Sequence, residues 1–483
     1  MLRFFKIVGI LLVGLLGILI FNAVRYTPIE NAPLKPMTLI QPDANALAAQ
    51  LSEAITFQTI SWESGNPEEY ASFIAFQQWL ETTYPNVFAQ LELTRINTHT
   101  LLLRWQGSEG TGQPVLFSAH YDVVPVNPGT ENEWSHSPFA GDIADDYVWG
   151  RGALDDKSAV VGLMASVSGL LKTGFTPKQD IYVALTHDEE LGSEDGAVAL
   201  THWFRDQSIT PAWSLDEGSF VLDGIVPGVD KGIASINVSE KGYLTLKLIA
   251  HGEGGHSSMP PENTAVTVLA EALVKLKDAP LPGGLEGISE KMYGDIARNM
   301  DFSKRLLFAN LWLFKPLLSS VLDDTKSGNA MMRTTTAPTM LSGSVKSNVL
   351  PATATATINF RLHPRDTVED VVNWVTAAID DERIDVEVGE FTEASPVAAT
   401  DNDGFTQLVQ TTRAVYPNAI ITPGLTIAAT DSRFYGDITN AYRFNPMVIN
   451  NDDLEGFHGT NERISIENLV RATQFYTALM QQQ

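Results

Sequence analysis

The sequence predicts an α/β protein: a mainly parallel sheet with helices on both faces, plus an inserted α+β unit. Three observations predict it. Short apolar runs alternate with helical periodicities as far as about Leu215, the texture turns β-rich near Ile233, and the alternation resumes after about Ser395. A chain of 483 residues is also too long for one ordinary core, so two packed units and a leader are expected.

Arg3 and Lys6 precede an apolar run from Ile7 to Phe21, followed by Asn22, Ala23, Val24 and Arg25, the layout of a targeting segment. The run is short for a span of about 20 residues. No small-x-small cleavage site separates it from Tyr26-Thr27-Pro28, so a membrane anchor over residues 1–25 with an exported, extracytoplasmic body is favoured. A cleaved leader would instead make the protein secreted. Residues 26–39 carry prolines without periodicity and suit a tether.

Helices are expected around Ala44–Ile55 and Glu68–Thr83. Strands follow at Thr100–Trp105, Val115–Ala119, Ile181–Thr186 and Trp213–Leu215, with a helix from Lys157 to Leu171 between the second and third. Ser235–Ala250 reads as β-rich, Pro261–Leu276 as a helix, Thr353–Leu362 as a strand and Val368–Ile379 as a helix. The apolar stretch Leu306–Leu322 carries Asn310, Lys315, Ser319 and Ser320, which favours a packed or interface helix over a second membrane segment. Ala419–Ile421, Met447–Ile449 and a final helix Ile466–Met480 close the first unit. Residues 40–232 and 395–483 therefore form the sheet domain, and 233–394 the insert.

The net charge of −26 is spread along the chain and argues against a nucleic-acid partner, which needs clustered Lys and Arg. There are no cysteines, which removes disulfides, thiolate metal sites and cysteine nucleophiles together. Any transition metal must be held by His, Asp and Glu.

Such residues collect at the ends of the expected strands. His120-Tyr121-Asp122 ends one strand, and alternate residues there share a face, so a carboxylate can orient a metal-binding imidazole. Gly150-Arg151-Gly152-Ala153-Leu154-Asp155-Asp156-Lys157 brings two carboxylates to a helix start, where capping is the bland alternative. Ile181–Thr186 runs straight into Asp188-Glu189-Glu190, and adjacent buried carboxylates are costly unless a cation offsets them. Asp216-Glu217-Gly218 repeats the device, and Gly456-Phe457-His458-Gly459 places a histidine in a glycine-flanked loop before the last helix. Two histidines and at least three carboxylates without cysteine suit two zinc ions sharing a carboxylate bridge.

In these ordered motifs the chain resembles the co-catalytic zinc metallopeptidases that include carboxypeptidase S and aminoacylase-1. It is most similar to the carboxypeptidase S and N-fatty-acyl-amino-acid synthase/hydrolase subgroup, through Ser239-Glu240-Lys241-Gly242, Asn310–Phe314 and Arg333–Thr336 as well. The resemblance implies that His120 binds one zinc, Asp155 bridges two, Glu190 and His458 bind the other, and Glu217 or Asp216 completes the first. It implies that Asp122 orients His120 and that Glu189 is the general base. His256, in Gly254-Gly255-His256-Ser257-Ser258, matches the lid histidine that reaches the oxyanion, often across a dimer interface, so a homodimer is compatible with it. The resemblance places Asn348 and Arg361 for substrate binding and Arg433 supplies another cation, guanidinium being suited to a free carboxylate, with a structural ion pair as the alternative for either arginine.

The expected function is zinc-dependent hydrolysis of amide bonds in N-acyl amino acids or short peptides bearing a free carboxylate. Two alternatives stand beside it. One is a reversible N-fatty-acyl amino acid synthase, disfavoured by mass action in water. The other is an inactive zinc-binding capture protein, for which Asp122 and Glu189 would be superfluous.

Overall fold

The computed structural model describes residues 1–29, 37, 39–62, 70–110, 112–226 and 228–483. Most of the expected tether and the Glu68 start of the second helix lie outside these residues. The strands order as Glu92–Ile96, Thr100–Trp105, Ile181–Thr186, Val115–His120, Trp213–Asp216, Asn440–Arg443, Ile233–Glu240, Val221–Leu222 and Val448–Ile449, with Ile420–Thr426 also paired to Ile233–Glu240. Val115–His120 runs parallel to both Ile181–Thr186 and Trp213–Asp216, whereas Thr100–Trp105 and Glu92–Ile96 are added antiparallel at one edge. The expected parallel character thus holds at the centre, and the whole sheet is mixed.

The central strands are apolar throughout because both faces are covered: every residue of Val115–His120 and Ile181–Thr186 is buried. Helices Ala44–Ile55, Lys157–Lys172 and Ile466–Met480 pack together on one face. Leu200 and Phe204 of Ala199–Asp206 join Leu102, Leu116 and Tyr182 on the other.

A second sheet runs Thr335–Ser342, Thr353–Leu362, Gly242–His251, Ile384–Thr392, antiparallel throughout. Its central strands alternate buried and open positions, as a sheet covered on one face should. Helices Ala265–Asp278 and Val368–Ile379, each opened by a threonine capping box, cover that face.

The β-rich run from Ser235 to Ala250 is divided between the sheets. Ile233–Glu240, expected in the insert, is entirely buried and hydrogen-bonded into the large sheet. The chain crosses to the small sheet at Lys241-Gly242 and returns near Ser395, whose N–H donates to the Glu240 carbonyl at 3.1 Å. A Cβ on Gly242 would lie 2.5 Å from the Ala394 nitrogen, so only glycine lets the two crossings run this close. Buried Arg443 ties them, donating to Glu240 Oε2 at 2.7 Å and to Ser395 Oγ at 3.1 Å.

Two further features lie at the N-terminus and in residues 287–332. Leu2–Arg25 is one helix, long and apolar enough to cross a membrane, a property leader sequences share. The expected helix over Leu306–Leu322 is two, Phe302–Phe308 and Leu311–Asp323, bent by 109° at Ala309-Asn310. Helix Gly287–Ala297 packs on strand Ile420–Thr426 of the large sheet.

Candidate metal centre

Parallel pairing sets His120 level with Thr186, so the turn after Ile181–Thr186 faces the end of Val115–His120. Ligands belong at such carboxyl ends. His120 Nδ1 lies 3.1 Å from the Asp122 carbonyl oxygen and 3.3 Å from its Oδ1. Asp122 also accepts hydrogen bonds from Ser61 Oγ and from the Glu189 and Glu190 N–H groups, at 3.1, 3.3 and 3.1 Å. One buried carboxylate thereby fixes both the imidazole and the acidic turn.

The glycine-rich turn supplies Asp155. Gly150 and Gly152 have φ of +146° and +88°, and a Cβ on Gly152 would meet Val123 Cγ1 at 2.8 Å. The Asp155–Asp156 peptide is cis. Asp155 Oδ1 stands 2.9 Å from His120 Nε2, and its Oδ2 stands 3.2 Å from His458 Nε2. Glu190 Oε2 is 3.4 Å from the same His458 nitrogen.

Two ligand groups result: His120 with Glu189 and Glu217, and Asp155 with Glu190 and His458, the donor atoms within each lying within 4.8 Å of one another. Asp155 reaches into both through its two oxygens. Asp216 belongs to neither group, although it is buried beside them. Glu189 stands within ligand distance as well as at the expected position of a base.

Burial raises Glu189 and Glu217 well above the ordinary carboxylate range, lifts Glu190, and brings Asp216 up to about 8. Burial opposes charge on His120, but hydrogen bonds to Asp122 and Asp155 outweigh it and hold the imidazole well above its usual value. Hydrogen bonds to Asp155 and Glu190 lift His458 to about 10. Buried oxygens of Asp156, Glu190, Asp216 and Asp431 have no hydrogen-bond partner. Orphaned acceptors among imidazoles and carboxylates, with no thiolate, fit bound metal cations.

A profile of peptidase family M20/M25/M40 matches residues 116–482. The chain belongs to the M20 peptidases. It is 38% identical to probable carboxypeptidase S-like 2 of Dictyostelium discoideum, covering 97% of this chain and 92% of that one. It is 37% identical to the N-fatty-acyl-amino acid synthase/hydrolase PM20D1 of Xenopus tropicalis, covering 92% and 87%. Among solved structures it resembles the M20 family metallo-carboxypeptidase Sso-CP2 from Sulfolobus solfataricus, with a TM-score of 0.62, 18% identity and coverage of 90% and 98%. Human carnosine dipeptidase 1 has a TM-score of 0.61 at 17% identity, covering 91% and 97%. These likenesses identify this M20 chain as a hydrolase of a metal-dependent family with a catalytic and a lid unit.

The remaining expected residues lie apart. His256 is exposed on the two-stranded hairpin Gly255–His256/Val349–Leu350, its Nδ1 facing Ser258 N and Oγ at 3.1 and 2.8 Å, and Asn348 is exposed beside it. Neither joins the ligand groups within a single chain. Arg361 and Arg433 line one cavity, together with Gly192 at the end of the acidic turn.

Sequence reasoning passed over three contributors. Buried Glu462 accepts at Oε1 from the N–H groups of Gly152, Leu154 and Asp155 at 3.0, 2.8 and 3.2 Å, while Oε2 takes buried Arg151 at 2.6 Å. Asp431 is buried against the acidic turn, beside Ser193 and Thr186. Lys241 shares the cavity of the two arginines. Lys241 stands in the Ser239–Gly242 motif of the resemblance, whereas nothing local gives Glu462 or Asp431 a role.

Glu462→Ala removes the anion that pairs Arg151 and gathers the Asp155 loop. Leaving a buried charge unpaired costs about 3–5 kcal/mol, and metal affinity should fall by about 10–100-fold with the support of the ligand loop lost. Urea unfolding and competitive chelation measure the two effects.

Proposed function

We propose that the chain hydrolyses the amide bond of N-acyl amino acids and short peptides, holding the free carboxylate of the amino-acid part while two zinc ions act at the acyl carbonyl. The observation that carries this reading is a cavity of about 380 Å³ lined by Lys241, Tyr243, Arg361 and Arg433 and bordered by Gly192. Two guanidinium groups and Lys241, against the single acid Glu390, surround this cavity in a chain of net charge −26 and suit a carboxylate. Burial, then Arg361, lowers Lys241 to about 7, and its Nζ donates to the Ala330 and Arg333 carbonyls at 3.0 and 2.8 Å. The relatives' names, carboxypeptidase S-like and N-fatty-acyl-amino acid synthase/hydrolase, agree in a substrate ending in a carboxylate.

His120 and Glu217 would hold one zinc, Glu190 and His458 the other, with Asp155 between them. Asp216, buried beside this set, supports the site rather than binding. When bound, the zinc pair lowers the pKa of water toward about 7 and polarises the carbonyl. Asp122 holds His120 in orientation. Glu189 takes the proton from the water as its oxygen bonds to the acyl carbon, then returns it to the nitrogen as the C–N bond breaks. The carboxylate pocket fixes the substrate so that this bond lies over the acidic turn. His256 and Asn348 would approach the reacting carbonyl and the substrate from a second copy in a homodimer. The N-terminal helix is read as a retained anchor that leaves the catalytic body outside the cytoplasm.

The test is hydrolysis of N-oleoyl-phenylalanine, N-acetyl-phenylalanine and glycyl-phenylalanine by the full chain in detergent, with and without zinc. Zinc-dependent turnover with loss on amidating the substrate carboxylate supports the reading. No turnover of any member by the zinc-loaded chain overturns it. Arg433→Ala should raise KM by about 10–100-fold with kcat much less affected, the loss of one charge-assisted pair.

A further inference from the structure

Helix Leu311–Asp323 is apolar on both sides. Leu318 packs with Leu285, Phe308 and Met332, with Leu311, Phe314 and Leu322 alongside. The opposite stripe carries Trp312, Leu313, Pro316, Leu317, Ser320 and Val321, all exposed, with Trp312 64%, Leu317 53% and Val321 55% open. That stripe contains no charged residue. A helix apolar all round needs an apolar medium on its second side.

The corner that opens this helix is fastened to the N-terminal helix. Buried Asn310 donates to the Leu19 carbonyl at 3.1 Å and accepts from Asn22 Nδ2 at 2.8 Å. Ala23 and Leu19 are buried, whereas most of the helix before them is exposed on all sides. Arg298 stacks 4.0 Å from the Tyr26 ring centroid and donates to the Thr27 carbonyl, and Tyr26 Oη donates to the Gly294 carbonyl at 3.1 Å. Leu19 and Asn22 lie about 5–9 Å along the axis from the end of the helix at Arg25. That matches the roughly 5–10 Å to which interfacial helices sink into a leaflet. Residues 287–333 carry seven Lys or Arg against five Asp or Glu, so this region lacks the net negative charge of the rest of the chain.

We propose that the elbow Phe302–Asp323 is a second membrane contact: its Trp312–Leu317–Val321 stripe lies in the acyl–headgroup boundary of the leaflet from which the N-terminal helix emerges. This rests on the anchor reading given above. The occupant of the face is lipid. With the corner locked to Asn22, the body is seated at a fixed orientation on the bilayer instead of swinging on a tether.

The cysteine-free chain allows clean single-site labelling. An environment-sensitive fluorophore is placed at Leu12→Cys, Leu317→Cys, Val321→Cys or Val388→Cys in the full chain. Each variant is reconstituted in phosphatidylcholine vesicles carrying a shallow or a mid-bilayer nitroxide, with retained hydrolysis as the check on folding. Val388 is an exposed apolar residue of the small sheet and serves as the control. The proposal expects blue-shifted emission at 317 and 321 lost to the shallow quencher, loss at 12 to the mid-bilayer quencher, and no loss at 388. Quenching at 12 without quenching at 317 and 321 overturns the elbow contact and leaves the anchor standing. Quenching at none of the sites overturns both. Blue-shifted emission at 317 and 321 that neither quencher reaches means that another copy covers the face, and also overturns the proposal.

Discussion

Glu189→Gln should lower kcat by about 10²–10⁴-fold while both metals stay bound. The substitution keeps the shape of the side chain and removes its capacity to carry a proton between water and the leaving nitrogen. Its neighbours are unaffected in principle, because the turn is held through backbone N–H groups of residues 189 and 190 on Asp122. Metal content per chain decides the interpretation, since Glu189 also stands among donors with His120 and Glu217. Two metals retained with activity lost assigns proton transfer. One metal lost in the variant makes Glu189 a ligand and leaves the base to be found elsewhere.

The second large effect concerns the metal-free protein. Burial lifts Asp216 from 3.8 to about 8 and Asp188 from 3.8 to about 7, so the folded chain binds protons that the unfolded chain has released. Stability conferred by such groups is complete below the ordinary carboxylate range and is lost as pH rises through the folded values. His458, lifted to about 10, acts with the same sign at higher pH. Lys157 and Lys241, lowered to about 7 by burial, act in the opposite sense only above that pH. Between pH 5 and 7 the two aspartic acids alone should lower stability by roughly 5 kcal/mol, at about 1.4 kcal/mol per group and pH unit. For a chain of this length that is on the order of 5 °C in Tm. In chelator, the melting temperature should therefore be higher at pH 5 than at pH 7. Saturating zinc should remove or reverse that order, because the cations offset the buried charge and bind best when it is ionised. Equal melting temperatures in chelator at both pH values would mean that these carboxyls remain hydrated in the folded chain.

Much of the cluster of histidines and acids was legible because these residues sit where the sequence changes texture. Val115–Ala119, Ile181–Thr186 and Trp213–Leu215 are apolar runs that stop abruptly at His or acid, and a central strand buried on both faces produces that pattern. What escaped depends on distant contacts. Glu462 lies only four residues beyond His458, yet its partners Gly152, Leu154 and Asp155 are more than 300 positions away. Nothing local separates it from a solvated acid. Ile233–Glu240 pairs in the large sheet although its texture continues into the small one, since continuous β-rich texture carries no mark of where pairing partners change. The break in Leu306–Leu322 left no proline or glycine at the bend itself, where buried Asn310 turns the chain instead.

The chain leaves the large sheet at Glu240 and re-enters it at Ser395, two points joined by hydrogen bonds to each other. An insertion whose ends touch makes little demand on its host, because loop-closure entropy grows only with the logarithm of length, by about 0.6 kcal/mol per doubling. The large sheet can thus align Ile233–Glu240 with its neighbours while the intervening residues are still unstructured. Apart from the packing of Gly287–Ala297 on Ile420–Thr426, the large sheet makes little demand on the length of what it carries.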